Sequence, residues 1–190
     1  MELTAANVYK SLYRKKIKKV LSCLSAQERK KQSRSVCLQV FRDSEFRHAK
    51  SVCVYSALPF EIQTADLMKS VIRSGKKLFL PRVDSKTASL NLFEVQHPER
   101  DLKSGSFGIQ EPDPVRCRKA SPHEIDLWIL PGLAFDLKGR RLGRGAGYFD
   151  RFFVKLPKVR KWALAYREQI LPEIPTSDHD VCVDRVIVGR

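Results

Sequence analysis

The sequence contains no apolar run close to the roughly 18 residues that a membrane-spanning helix needs. Its first segment, MELTAANVYKSLYRKKIKKVL, also lacks the uninterrupted apolar core of a secretory signal peptide. The five cysteines are odd in number and form no C-x-x-C pair, and the four histidines have no metal-ligand spacing. These absences argue against a membrane protein, a disulfide scaffold and a zinc site, and they favour a cytoplasmic protein with reduced thiols.

Acidic side chains are also scarce, because 21 Asp and Glu stand against 36 Lys and Arg, which gives a net charge of +15. Residues 1–50 hold 13 basic side chains against 4 acidic ones, so more than half of the excess lies in about the first quarter of the chain. A basic excess predicts anionic partners. Nucleic acid, an anionic membrane surface, ATP and a polyanionic small molecule all meet that condition.

The first part of the chain has the apolar spacing of two basic helices. Residues 5–22 carry apolar side chains at helical intervals. Ser25-Ala-Gln-Glu28 is a capping box, in which the Ser side chain accepts from a free backbone amide and the Glu side chain reaches back. A second helix is therefore predicted from Ala26 to about Arg42.

Farther along, short β-branched and apolar segments alternate with helical ones. The predicted strands are 51–56, 77–80, 90–95, 126–130, 161–166 and 186–188. Pro81 is expected to stop the second of them. Thr64 is expected to cap a helix that ends at Gly75, and another helix is expected from Tyr148 to just before Pro157.

This alternation predicts an α/β fold, organised as a single-domain three-layer α/β/α sandwich with a mostly parallel sheet. The domain spans residues 1–190, with the basic helices at 5–42 and the α/β core at 50–190. The Pro- and Gly-rich stretch 97–123 is predicted to be one long loop region, which in a compact domain is often functional.

A glycine- and arginine-rich segment follows the 126–130 strand. It reads GRRLGRGAGYFD over residues 139–150, with glycines at positions 143, 145 and 147. Glycine lets the backbone approach a phosphate closely, amides at a helix start attract anions, and arginine binds phosphate in bidentate fashion. The segment matches neither the Walker A loop nor the dinucleotide G-x-G-x-x-G. From pattern alone, a phosphate cradle and an ordinary glycine-rich turn both remain open.

The stretch LPGLAFD followed by RLGRGAGYFDR resembles the signature of the 5-formyltetrahydrofolate cyclo-ligase family, also called methenyltetrahydrofolate synthetases. Lys10 and Arg14 followed by LSAQERKKQS, and then SVCVYSALPFEIQT, FLPRV, FGIQEP and CVD, occur in the family's order, so the resemblance covers nearly the whole chain. It implies an enzyme that uses ATP and Mg²⁺ to convert 5-formyltetrahydrofolate to 5,10-methenyltetrahydrofolate. A phosphorylated formyl imidate is the implied intermediate, and ADP and phosphate are released.

The resemblance also implies roles for individual residues. The implied ATP-binding residues are Lys10, Arg14, Arg141, Gly143, Arg144, Gly145, Ala146, Gly147, Tyr148 and Asp150. Arg144 and Tyr148 are the implied catalytic residues, and Asp150 and Asp184 are the implied Mg²⁺ ligands. The implied folate-binding residues are Leu58, Phe60, Glu61, Phe107 and Tyr148.

Each role has a plainer alternative. Lys10 and Arg14 lie four apart and share a helix face, but exposed helices are often basic. Asp150 in a first helical turn also complements a helix dipole. Asp184 and Glu61 fit a solvated strand start and a solvated loop. If Lys10 and Arg14 hold ATP, cleavage of the basic N-terminus would remove them, which argues against a transit peptide.

Three positions depart from the pattern of some relatives. Phe107 stands where they have Trp, Phe149 where they have Tyr, and Ala146 where they have Gly or Lys. Phe keeps the stacking surface and loses a hydrogen bond. These departures are expected to affect substrate affinity more than reaction type.

Two other functions compete with the enzyme. A basic nucleic-acid-binding protein on a cyclo-ligase-like scaffold that has lost activity would explain the charge, but it would not need Glu61, Arg144, Asp150 and Asp184. A sugar-phosphate isomerase would need a general base, and the sequence offers no clear one. The expected protein is a monomer that binds a reduced folate, which could be polyglutamylated, and neither nucleic acid nor membrane.

Overall fold

The computed structural model describes residues 5–84, 86–105, 108–156 and 158–190. Six α-helices occur in the described ranges: α1 (Ala5–Ser22), α2 (Ala26–Arg42), α3 (Ser44–His48), α4 (Ala65–Arg73), α5 (Pro98–Asp101) and α6 (Tyr148–Phe153). These ranges also contain short 3-10 helices at Pro122–Glu124 and Arg167–Gln169. The longer strands are β1 (Ser51–Val54), β2 (Lys77–Asp84), β3 (Ser89–Val95), β7 (Leu127–Leu130), β10 (Arg160–Ala165) and β11 (Arg185–Val188). The short strands are β4 (Leu102–Ser104), β5 (Gln110–Pro112), β6 (Lys119–Ala120), β8 (Ala134–Phe135) and β9 (Arg141–Leu142).

Seven of the strands form the central sheet, in the order β11-β10-β7-β1-β2-β3-β6. The five strands from β11 to β2 are parallel, whereas β3 runs antiparallel to both of its neighbours. The strands of a parallel sheet are covered on both faces, which explains their nearly continuous apolar sequences. The predicted α/β class with a mostly parallel sheet is confirmed.

Helices cover both faces of the sheet. Side chains of α1 to α4 pack on one face, against a core that includes Val52, Leu78 and Leu127. On the other face, α6 packs its Phe153 edge-on against Trp128, with 5.0 Å between the ring centroids. The predicted three-layer arrangement is therefore confirmed. In the described ranges, no helix is both long and apolar enough to span a membrane.

Two local capping predictions are wrong in part. Ser25 Oγ accepts from the Glu28 backbone N–H at 3.1 Å, as expected. However, the Glu28 carboxylate accepts from the side-chain amide of Gln32, one helical turn later, and from the guanidinium of Arg167. It does so because these two groups are better partners than the backbone amide of Ser25. Thr64 also makes no side-chain cap on α4, since its hydroxyl donates to the Tyr55 carbonyl at 2.7 Å.

Two strand predictions also need correction. Pro81 does not stop β2, which continues to Asp84, because β1 pairs with β2 only as far as Phe79. Beyond that point β2 is paired only with β3, and a proline is tolerated where no second strand needs its N–H. The predicted single loop at 97–123 instead contains α5, β4, β5 and β6.

Candidate active site

The glycine-rich loop lies between the β8–β9 hairpin and α6, so it does not follow β7 directly. Gly145 and Gly147 have φ angles of 114° and 65°, which favour glycine over any residue with a side chain. Gly147 occupies the N-cap position of α6 and leaves the first amides without a side-chain cap. Because α6 has only six residues, the loop amides and the surrounding arginines matter more for anion binding than the helix dipole does.

Arg141 and Asp150 form a partly buried ion pair beside the loop. Arg141 is 6% exposed, and its Nη2 donates to Asp150 Oδ1 at 2.6 Å. A Cβ atom built on Gly143 would lie 3.4 Å from Arg141 Nη1 and 4.0 Å from Asp150 Oδ2. Both charged groups therefore border the glycine-rich backbone. The Nε atom of Arg141 is buried and has no hydrogen-bond partner among the described residues.

Arg144 links the loop to the segment predicted to bind the folate. Its Nη2 donates to Glu61 Oε1 at 2.8 Å, and its guanidinium lies 4.5 Å from the centroid of the Phe60 ring. Glu61 is only 3% exposed, and its Oε2 accepts from the Leu58 backbone N–H at 2.9 Å. The structure therefore brings the predicted folate residues Leu58, Phe60 and Glu61 directly to the predicted phosphate loop.

Distant residues hold the turn that carries Glu61. Arg29 donates from Nη1 to the Pro59 carbonyl at 2.7 Å, and the hydroxyl of Tyr166 donates to the Glu61 carbonyl at 2.7 Å. Burial raises the pKa of Tyr166, which keeps this hydroxyl protonated as a donor. Sequence reasoning missed both residues, because each lies far from residue 61 in the chain and belongs to an ordinary apolar or basic pattern.

The first helix also reaches the site. Arg14 donates from Nε to the Gly143 carbonyl at 2.9 Å, and its guanidinium carbon would lie 3.7 Å from a Cβ atom built on Gly145. Lys10, one turn earlier, is 5% exposed, and its Nζ donates to Ser177 Oγ at 2.9 Å. Lys10 also pairs with Asp180. The two predicted cations therefore contact different parts of the site.

The remaining loop residues interact with Arg151. Its Nη1 donates to the Ala146 carbonyl at 2.8 Å, and its guanidinium lies 5.3 Å from the centroid of the Tyr148 ring.

Phe149 packs on Phe153 with 6.4 Å between the ring centroids. The ring of Phe149 therefore contributes to the apolar layer beneath α6. Phe107 lies outside the described residues.

Among the described residues, the contacts of the Asp184 carboxylate do not involve the glycine-rich loop. It precedes β11, is exposed, and accepts through Oδ2 from the Lys161 backbone N–H at 2.6 Å. Asp126 does the same before β7, where its Oδ2 accepts from the backbone N–H groups of Lys50 and Ser51 at 2.7 and 3.1 Å. Among the described residues, no hydrogen bond or ion pair connects Asp184 with Asp150. Its metal role stays a prediction.

The described part of the chain contains no cluster of three or more His, Cys, Asp or Glu side chains arranged for a metal ion. Mg²⁺ does not require such a cluster, because it is commonly held by one or two carboxylates together with substrate phosphates and water. Asp150 meets that condition. Its Oδ1 is engaged by Arg141 and by the Val181 N–H at 3.2 Å, and its Oδ2 faces Gly143.

Comparisons with known proteins show the family to which the chain is related. A model of the 5-formyltetrahydrofolate cyclo-ligase family matches residues 6–189. The chain is 33% identical to 5-formyltetrahydrofolate cyclo-ligase of Mus musculus, over 98% of this chain and 97% of that protein. It is 33% identical to a probable 5-formyltetrahydrofolate cyclo-ligase of Caenorhabditis elegans, over 97% and 95%. The solved structure of Aquifex aeolicus 5,10-methenyltetrahydrofolate synthetase matches with a TM-score of 0.83 and 34% identity, over 94% and 89%.

Proposed function

The chain belongs to the 5-formyltetrahydrofolate cyclo-ligase family, and on that premise we propose that it converts 5-formyltetrahydrofolate to 5,10-methenyltetrahydrofolate with ATP and Mg²⁺. The observation that carries the proposal is the bond of 2.8 Å between Arg144 and Glu61. It joins the segment predicted to bind the folate with the loop predicted to bind phosphate. A phosphoryl transfer from ATP to the folate needs these two subsites side by side.

The proposed reaction has two steps. The formyl oxygen attacks the γ-phosphorus of ATP, the bond to the β-phosphate oxygen breaks, and ADP leaves. The nitrogen at position 10 of the folate then attacks the activated formyl carbon and loses its proton. Inorganic phosphate leaves with the former formyl oxygen, and the methenyl bridge is closed.

Arg144 and Glu61 are proposed to exchange their mutual bond for bonds to the two substrates. A carboxylate accepts a pair of hydrogen bonds from an amino-pyrimidine edge, which suits Glu61 for the pterin. A guanidinium binds phosphate oxygens in bidentate fashion, which suits Arg144 for the transferring group. The exchange is favourable because the buried Glu61 carboxylate and the more exposed Arg144 guanidinium each gain a new partner for the one they lose.

The nucleotide is proposed to lie along the glycine-rich loop. Arg14 and Arg141 both border this loop, and Gly145 and Gly147 adopt positive φ angles that suit a backbone approached by phosphate oxygens. Phosphoryl transfer depends mainly on positioning and on neutralising charge, which an arginine-lined loop supplies. Tyr148 follows the loop directly, and we assign it a place beside the reacting groups.

Mg²⁺ would supply a Lewis acid that neutralises the phosphate oxygens. Asp150 fits this ion, because its Oδ2 faces the loop while Arg141 and Val181 fix its Oδ1. We propose Asp184 as the second carboxylate on the resemblance to the family. Its Oδ1 has no hydrogen-bond partner among the described residues, so that oxygen remains available to a ligand.

The proposal also covers the form in which the protein acts. We propose that residues 1–190 are one cyclo-ligase domain that works as a cytoplasmic monomer on a reduced folate, with or without a polyglutamate tail. The bond from Arg14 to the Gly143 carbonyl supports one domain, since it ties the N-terminal helices to the loop. The basic surface suits an anionic folate tail.

Absorbance in the methenyl-folate band tests the proposal. The protein is mixed with 5-formyltetrahydrofolate, Mg²⁺ and ATP, and a second sample omits ATP. We expect the band to grow only with ATP, with one ADP and one phosphate released per folate converted. Folded protein that produces no band at high concentration would contradict the proposal. The basic nucleic-acid-binding protein would then be tested by salt-dependent RNA binding.

A further inference from the structure

One turn, residues 177–181, contacts two of the proposed ATP ligands at once. Lys10 Nζ donates to Ser177 Oγ at 2.9 Å and pairs with the carboxylate of Asp180. The Val181 N–H, next in the chain, donates to Asp150 Oδ1 at 3.2 Å. The turn therefore connects the lysine of α1 with the carboxylate of α6, on the same side of the protein as the glycine-rich loop.

The turn is itself held in shape by Asp180. The Asp180 Oδ2 atom accepts from the Ser177 backbone N–H at 2.6 Å, in addition to its pairing with Lys10. A single carboxylate oxygen thus fixes both the turn and the lysine. The bond with Ser177 is local in sequence, whereas the pairing with Lys10 joins residues that are 170 positions apart.

Lys10 needs such a partner for two physical reasons. Its side chain is almost fully buried, with the whole residue 5% exposed, and a buried ammonium is costly unless it is paired. A lysine also has a flexible four-carbon stem, so its ammonium has no fixed place without an acceptor. Arg14 lies one helical turn from Lys10. Its Nε donates to the carbonyl of Gly143, at the start of the glycine-rich loop.

We propose that Asp180 is a positioning residue for ATP, which holds the Lys10 ammonium at the edge of the phosphate loop and acts on the nucleotide through Lys10. This inference rests on the proposed function and on the family resemblance, which implies that Lys10 binds the nucleotide and that Asp150 binds its Mg²⁺. Among the described residues, the Asp180 side chain makes no hydrogen bond or ion pair with the folate subsite, which is built on Leu58, Phe60 and Glu61. Loss of Asp180 therefore weakens ATP binding selectively.

The test is a double-mutant cycle on Lys10 and Asp180 with steady-state kinetics. The variants are Asp180→Asn, Lys10→Met and the double variant. Asp178→Asn serves as the matched control, because Asp178 is exposed on the same turn and has no hydrogen-bond partner among the described residues. We expect Asp180→Asn to raise the KM for ATP about tenfold, with kcat and the KM for folate changed less than about threefold.

Non-additivity is the decisive readout. If Asp180 acts through Lys10, the double variant has about the same KM for ATP as Lys10→Met alone, because the second change removes nothing further. Asp178→Asn should match the wild type. Effects that multiply in the double variant would overturn the inference. So would equal increases in both KM values, which indicate a merely structural role, or a lower KM for ATP in Asp180→Asn, which indicates competition with phosphate.

Failure of the proposed function would look different. Binding of a non-hydrolysable ATP analogue to the wild-type protein is measured first, by calorimetry. If the wild type does not bind the analogue, the ATP-dependent function fails, and the inference about Asp180 fails with it. If the wild type binds the analogue and Asp180→Asn binds it equally well, only the inference about Asp180 fails. Thermal unfolding of all variants verifies that each is folded.

Discussion

Glu61 and Asp180 near the glycine-rich loop differ from Asp101 in the segment 97–124 in how far along the chain their cationic partners lie. At the loop, Glu61 pairs with Arg144, which lies 83 residues away, and Asp180 pairs with Lys10, which lies 170 residues away. In the segment, Asp101 accepts from the backbone N–H groups of its near neighbours Gln96 and His97, at 3.0 and 2.8 Å. A cation side chain can leave for a phosphate, whereas a local amide cannot.

The local partners of Asp101 also affect its acidity. Burial alone would raise the pKa of Asp101, but hydrogen bonds from the His97 and Gln96 amides, together with Arg100, outweigh it and hold the pKa below its usual 3.8. The carboxylate therefore stays charged and fixed in place. We infer from this comparison that Glu61 and Asp180 serve ligands and that Asp101 serves stability.

The largest expected effect separates two arginines with similar ion pairs. Arg144→Ala should lower kcat/KM about a thousandfold, because it removes the guanidinium proposed to neutralise the transferring phosphate. Arg118→Ala should change it less than about twofold, although Arg118 bonds to both Glu94 and Glu124 at 2.6 Å. Initial rates of methenyl-folate formation measure both. Equal losses of kcat/KM in the two variants would contradict the distinction between the glycine-rich loop and the segment 97–124.

Asp150→Asn is expected to be the next most damaging change. The variant keeps an acceptor for Arg141 and Val181 but loses the charge that would face Mg²⁺ at Gly143. We expect kcat to fall about a hundredfold and the Mg²⁺ requirement to rise. A titration of rate against Mg²⁺ concentration checks this. An unchanged Mg²⁺ requirement would leave Asp150 as a structural partner of Arg141.

Glu61→Gln sharpens the comparison on the folate side. The amide oxygen can still accept from the Leu58 N–H, but the group loses the charge that binds Arg144 and the pterin edge. We expect the KM for folate to rise about tenfold while the KM for ATP changes little. Folate titrations at saturating ATP give the first value, and ATP titrations at saturating folate give the second. A rise confined to ATP would contradict the proposed role.

The glycine-rich loop and the parallel sheet were predictable because their signals are local. Glycines at positions 143, 145 and 147 with adjacent arginines, and apolar strands bounded by turns, lie in contiguous sequence. The partners of the site residues were not predictable, because they come together only when the sheet forms. The stretch 97–123 was wrongly predicted to be a single loop for a related reason. Its Pro- and Gly-rich composition indicates turns but does not reveal that short strands such as β4 and β5 pair within it.

Variants of Asp184 and Asp126 test whether a carboxylate that accepts from the backbone at the start of a strand can also bind Mg²⁺. Each carboxylate accepts from a backbone N–H at the start of a neighbouring strand, through Oδ2. In Asp184→Asn and Asp126→Asn the amide oxygen can keep that bond, so the substitutions isolate the charge. We expect Asp184→Asn to raise the Mg²⁺ concentration for half-maximal rate about fivefold and Asp126→Asn to leave it unchanged. Identical titrations would make Asp184 a cap and nothing more.

The smallest kinetic effect is expected from Asp101→Asn, which belongs to the segment and not to the site. The change should lower the free energy of unfolding at pH 7 by about 2 kcal/mol, because charge-assisted bonds from backbone amides to the buried carboxylate are weakened, and rates should stay within about twofold of the wild type. Urea unfolding of both proteins measures the first value. Because the folded pKa of Asp101 lies below its usual 3.8, the advantage of the wild type is complete above that pH.

That advantage should shrink as the pH falls through the lower, folded pKa, since the wild-type carboxyl then becomes protonated and resembles the amide. Unfolding measured at pH 7 and again near pH 3 therefore gives converging stabilities for the wild type and Asp101→Asn. A constant difference would mean that the charge of Asp101 contributes nothing. A large loss of rate at pH 7 without a loss of stability would show that the segment 97–124 communicates with the loop, and the division between the two regions would have to be abandoned.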